Sequence, residues 1–119
     1  MKDSLLLAVL LAVSLAGSTT AATPDRWVEY YRTGGGEPVR WDLNEINLDS
    51  IKRVGDYLQF EVRIRYADGK TSEPLQMQVD CVKRTRGQLP DPFMRDTYNG
   101  TLGREEVKAA CLAAAMEGK

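Results

Sequence analysis

The chain has 119 residues, 43% hydrophobic and 28% charged, with a formal net charge of −1 and no histidine. That balance excludes bulk electrostatic capture of nucleic acid, which needs a basic face or a strongly basic domain. The missing histidine removes the commonest general base, the Ser/His and Cys/His nucleophile pairs and the usual zinc ligand.

The first element in chain order is an export signal. Lys2 precedes an apolar run from Leu5 to Ala16, and the small residues Gly17 to Ala22 lead into Thr23-Pro24-Asp25. This charged, apolar, small-residue order is that of a secretory signal peptide (residues 1–22) cleaved after Ala22. The run is too short for a permanent membrane helix, and no second apolar segment is long enough for one. No cysteine stands near the cleavage site to carry a lipid. The expected product is one small domain, residues 23–119, periplasmic or secreted, with no membrane span or lipid anchor. A domain of that size buries a modest share of its surface, so a covalent staple is useful.

Two short strands are expected over Trp27–Arg32 and Val39–Leu43, joined by Thr33-Gly34-Gly35-Gly36-Glu37-Pro38. A glycine triplet cradles phosphate only ahead of a helix amino terminus; Pro38 and a β-like stretch follow here, so a hairpin loop is expected. Asp42-Leu43-Asn44-Glu45-Ile46 starts like a calcium loop but fails at Asn47, where glycine is needed, and at Arg53, where a bidentate glutamate is needed. Asp42 and Asp49 read as strand-face carboxylates rather than an acid–base pair. Leu48–Val54 reads as a further short strand.

The clearest strand runs from Tyr57 to Tyr66: Leu58, Phe60, Val62, Ile64 and Tyr66 alternate with Tyr57, Gln59, Glu61, Arg63 and Arg65. Asp68-Gly69 is a two-residue hairpin signal, and Leu75, Met77, Val79 and Cys81 alternate on the return. Placing Ala67 opposite Lys70 sets Val62 against Leu75, Phe60 against Met77 and Leu58 against Val79, so turn and pattern agree on one register. Pro74 cannot donate to a ladder and marks an edge or a bulge.

Gly87–Gly100 reads as a loop, with Asn99-Gly100-Thr101 as a turn rather than a glycosylation site. Gly103 then opens a helix with Glu105 and Glu106 in its first turn. Val107, Ala110, Cys111, Ala114 and Ala115 give it one small-residue face. In an exported chain the pair Cys81 and Cys111 reads as a structural disulfide, and no Cys-x-x-Cys redox motif is present. It would tie the helix across the sheet. The fold class is therefore α+β, an antiparallel sheet with a C-terminal helix packed on one face.

Lys83, Arg84, Arg86 and Arg95, with Arg63 and Arg65 on the neighbouring strand, form the notable charge cluster. One reading is solvated strand ends balanced by Glu61 and Asp80. The other is a cationic patch (Arg63, Arg65, Lys83, Arg84, Arg86) that docks an acidic partner or polysaccharide, with Tyr57 on the same face.

Trp27, Trp41-Asp42, Asp49-Ser50-Ile51-Lys52-Arg53-Val54-Gly55 and Val79-Asp80-Cys81-Val82-Lys83-Arg84, together with the long alternating strand, resemble the bacterial surface-adhesin protein E family. The resemblance implies an antiparallel sheet with a disulfide-held C-terminal helix. The founding adhesin is a surface lipoprotein that binds host extracellular-matrix proteins, whereas this chain lacks the lipid-bearing cysteine. The matching positions are core, turn and disulfide residues, so the resemblance supplies no binding residue. The expectation is an exported, non-enzymatic binding domain without a cofactor, contacting a protein or envelope polymer through the exposed sheet face. The second reading is a periplasmic enzyme inhibitor of the lysozyme-inhibitor kind, inserting Thr33–Pro38 or Gln88–Thr97 into a cleft.

Overall fold

The structure is a computed structural model that describes residues 25–97 and 100–119. The expected signal peptide, its cleavage site and Asn99 lie outside the described residues. The strands are β1 (Trp27–Gly35), β2 (Arg40–Asn47), β3 (Lys52–Val54), β4 (Tyr57–Arg65), β5 (Leu75–Asp80), β6 (Thr85–Gln88) and β7 (Arg95–Asp96), followed by helix α1 (Thr101–Met116). They form one antiparallel sheet in the order β1-β2-β4-β5-β6-β7, with β3 pairing β4 beyond the end of β2.

The long hairpin has the expected register: Leu58 faces Val79, Phe60 faces Met77 and Val62 faces Leu75. Its turn differs by one residue. Tyr66 N–H donates to Lys70 O and Gly69 N–H to Tyr66 O, which makes a three-residue loop with Gly69 at φ 90°. Arg65 then bridges Thr71, and Ser72 N–H donates to Ile64 O. Between that point and the Val62–Leu75 pair the return strand carries one extra residue, a bulge. Ser72 Oγ accepts from Ile64 N–H there, and Pro74, which has no N–H to give, sits in the bulge. The two offsets cancel, which keeps the apolar set on the core face.

The expected strand over Leu48–Val54 is split. Leu48–Ser50 forms a 3-10 turn capped by Asn47, whose side chain accepts from Asp49 N–H. Ser50 Oγ donates to Asn47 O and accepts from Glu61 N–H, at 2.7 and 2.8 Å. The chain thereby leaves β4 as β2 and rejoins it as β3. Two more strands, β6 and β7, occupy the ends of what reads as loop and basic turn. Helix α1 begins two residues earlier than expected, so Glu105 and Glu106 lie beyond its first turn.

Ile46, Leu58, Phe60, Val62, Met77 and Val79 from the sheet, with Ile51 from the turn before β3, bury against Val107, Ala110 and Ala114 of α1. Small residues on the helix let it lie close to the sheet, and a Cβ on Gly103 would come 3.0 Å from Arg86 Cδ. Cys81 and Cys111 are disulfide-bonded with Cα atoms 5.9 Å apart, tying the end of β5 to the middle of α1. Arg26 closes the far end by pairing with Asp49 and Glu117. Among the described residues no helix is long and apolar enough to cross a membrane.

Candidate functional site

The structure divides the basic residues by what holds them. Arg63 and Arg65 project from the sheet face opposite α1, where both pair with Glu45 at 2.8 and 3.3 Å. Glu45 is buried, and the Arg63 guanidinium also stacks 4.0 Å from the Trp27 ring centroid. Glu61 and Asp80, the carboxylates expected to balance these arginines, do other work: Glu61 accepts from Asn47, and Asp80 Oδ1 accepts from Val82 and Lys83 N–H. Tyr57 is half-buried on this face.

Arg86 points the other way. It is paired with Val79 of the core face, and its side chain runs beneath α1 to Glu106. Glu106 is 1% exposed, accepts from Arg86 Nε and from Tyr30 Oη, and is the most deeply buried charged group described. Burial pushes its carboxyl above the ordinary value, against the pull of Arg86 and Tyr30. The Tyr30 hydroxyl is itself held neutral by burial and by the neighbouring carboxylate. A bulge in β1 between Glu29 and Tyr31 aims Tyr30 at this site. The group is a satisfied structural contact: both glutamate oxygens have donors.

Lys83 and Arg84 lie at the β5–β6 turn, and here the fold assembles a site. Arg84 stands with Arg104 and Lys108 around a cleft of about 550 Å³, together with Glu105, Thr97, Val107, Cys81 and Cys111. Among the described residues no salt bridge reaches Lys83, Arg84, Arg104 or Lys108. The sequence fixes the arrangement through the disulfide: Arg84 follows Cys81 by three residues, while Lys108 and Arg104 precede Cys111 by three and seven, on the same side of the helix. Sequence reasoning grouped Arg84 with Arg63, Arg65 and Arg86 by strand proximity and missed Arg104 and Lys108. The expected disulfide was the signal that would have found them.

Two backbone features add to the positive potential. Arg104 sits in the first turn of α1, whose N-cap Gly100 makes no side-chain cap bond; a cation there reinforces the helix dipole's positive end rather than opposing it. Arg84 itself adopts φ 58°, a conformation that costs an L-residue about 1–2 kcal/mol relative to the right-handed region. Its N–H donates to Asp80 O and its carbonyl accepts from Thr97 Oγ1 and N–H, so the residue is pinned with its side chain at the cleft.

No family model, curated protein or solved structure matches this chain. The cleft must therefore be read from its own chemistry. It offers the convergent positive charge of Arg84, Arg104 and Lys108 beside one carboxylate, Glu105, over an apolar floor of Val107 and the disulfide. The Thr97 hydroxyl is already engaged, donating to Arg84 O. The three cations outnumber the carboxylate and are of the kind that hydrogen-bond and attract anions. Among the described residues no group of three or more His, Cys, Asp or Glu is placed to hold a metal ion.

Two further hollows flank Arg86. One, of about 440 Å³, opens between the sheet and the start of α1 and is lined by Tyr30, Ile64, Tyr66, Leu75, Leu102 and Glu106 among others. The other, of about 470 Å³, lies under the loop that carries Phe93, a residue 76% exposed.

Proposed function

We propose that this chain is an exported, non-enzymatic binding domain, similar to surface-adhesin protein E, that captures a protein or envelope polymer through its acidic groups. The observation that carries the reading is the cleft over the Cys81–Cys111 disulfide, where Arg84, Arg104 and Lys108 converge and, among the described residues, form no salt bridge, although Glu105 also lines the cleft. Guanidinium and ammonium groups left free at a surface steer and hold acidic partners. The contact surface thereby moves from the sheet face to the corner between the β5–β6 turn and α1.

The test is capture of host matrix proteins and of acidic envelope polymers by the exported chain. Saturable, salt-sensitive binding that falls with Arg84→Ala, Arg104→Ala and Lys108→Ala, and survives Arg63→Ala, is the expected result. Binding indifferent to those three residues would remove the cleft from the mechanism. A loop-insertion inhibitor remains the second reading, favoured by the solvent-exposed Phe93 between β6 and β7. Stoichiometric suppression of a muramidase, lost on Phe93→Ala, would establish it.

A further inference from the structure

The turn and the helix that carry the cleft's cations also carry exposed apolar side chains that an acidic protein or polysaccharide leaves unused. Val82 is 92% exposed, Met116 78% and Leu112 58%. Singly, such residues are ordinary on a protein surface. Here their placement is the informative part. Val82 follows Cys81 and Leu112 follows Cys111, so the disulfide brings the two to the same corner. Leu112 lies one helical turn beyond Lys108 and two beyond Arg104, and Met116 one turn further. All four occupy the solvent side of α1, opposite the buried Gly103, Glu106, Val107, Ala110 and Ala114. Lys83 and Arg84 stand on the same turn as Val82.

We infer that this corner docks on an anionic lipid surface, with Lys83, Arg84, Arg104 and Lys108 against headgroup phosphates and Val82, Leu112 and Met116 in the acyl boundary. The charge assignment rests on the binding reading of the cleft; the exposed apolar side chains are an independent observation. A residue 92% exposed projects from the surface. It gains little from a rigid polar partner and most from a medium that closes around it. Interfacial binding combines apolar insertion with attraction to anionic lipid, and both ingredients are present side by side. The formal net charge of −1 makes the local concentration of cations, rather than the whole chain, responsible for attraction.

The experiment is co-sedimentation of the exported chain with phosphatidylglycerol-containing vesicles and with pure phosphatidylcholine vesicles, alongside retention on heparin as a soluble polyanion. Capture by the anionic vesicles alone, declining with salt, is expected. Arg104→Glu with Lys108→Glu should weaken it about tenfold or more, since each basic residue near such a surface adds to attraction. Val82→Ser with Leu112→Ser should weaken vesicle capture while leaving heparin retention unchanged. These four positions lie outside the core, and circular dichroism checks that the variants fold. Heparin retention without vesicle capture, or vesicle capture indifferent to Val82→Ser and Leu112→Ser, would overturn the membrane inference and leave the acidic-partner reading standing. Failure to bind either would overturn both.

Discussion

Two arginine-bearing regions of this small domain look alike in sequence and are opposites in structure. On the sheet face away from α1, Arg63 and Arg65 share one buried carboxylate, Glu45, and Arg63 lies over Trp27. Over the disulfide, Arg84, Arg104 and Lys108 surround a cleft that Glu105 also lines, and among the described residues none of the three cations forms a salt bridge. The first region uses positive charge to join β1, β2 and β4; the second leaves it to solvent or a partner. Counting basic residues along a strand therefore says little about binding. Whether a carboxylate from another element reaches each cation says a great deal.

The sharpest way to test that division is to remove a cation from inside the fold. Arg86→Met leaves the buried Glu106 carboxylate without its charged partner, and such broken pairs typically cost about 3–5 kcal/mol. The pH dependence gives a second readout. Burial raises the folded-state value of Glu106 above that of the unfolded chain, so its contribution to stability falls as pH rises through that interval. Without Arg86 the upward shift grows, and the variant should be markedly more stable at pH 5 than at pH 7. A melting temperature for Arg86→Met that ignored pH would mean Glu106 had found another partner. At the exposed end of the fold the sign reverses. Asp49 and Glu117, both lowered by Arg26, contribute stability above the unfolded carboxylate value that is lost as pH falls through their lowered ones.

Removing the disulfide comes next in size. Cys81→Ser with Cys111→Ser opens a loop with a sequence separation of 30 residues. The chain-entropy account gives about 3–4 kcal/mol for closing it. The same change should release the β5–β6 turn from α1 and abolish polyanion binding, while leaving the Glu45 cluster intact. Denaturant unfolding and heparin retention measured on one preparation separate the two effects. Retained binding in the double variant would show that the cleft is held by packing alone.

These expectations also mark what the sequence makes legible. Alternation over Leu58–Val62 and Leu75–Val79 fixed the central hairpin because a one-residue slip would have turned Phe60 and Met77 outward. The Asp68-Gly69 turn was less readable: a three-residue loop and the bulge before Leu75 compensate each other, and only their sum shows in the pattern. β6 escaped notice because Thr85-Arg86-Gly87-Gln88 has no apolar alternation. Its Gly87 is needed for a reason the sequence hides, since a Cβ there would come 3.1 Å from Pro92. Glu106 read as a helix-dipole residue, whereas its partners Tyr30 and Arg86 come from β1 and β6. Those contacts depend on a bulge and on sheet order, neither of which local spacing reports.

A smaller effect probes the sheet-face cations. Glu45→Gln leaves Arg63 and Arg65 side by side without their shared charge. The Trp27 stack persists, and Arg65 can turn toward water. The expected loss is about 1–2 kcal/mol, below that of a fully buried pair. Polyanion binding should rise rather than fall, because Arg65 loses the carboxylate that neutralised it and becomes available. Unchanged affinity in Glu45→Gln would confine anion capture to the disulfide corner.

The smallest stability change has the opposite sign and separates the two roles most cleanly. Arg84 holds φ 58°, the left-handed conformation that glycine adopts without a Cβ penalty. Arg84→Gly relieves that cost but adds backbone freedom to the unfolded chain, so the net gain is at most about 1 kcal/mol. The Asp80 and Thr97 hydrogen bonds to the backbone of residue 84 do not involve its side chain and should persist. If the arginine is there for the fold, the glycine variant should be no better than neutral. If it is there for the cleft, Arg84→Gly should melt at or slightly above the parent temperature and yet bind acidic partners severalfold more weakly. A variant that gains stability and loses capture would show directly that the strained turn is kept for the side chain it presents.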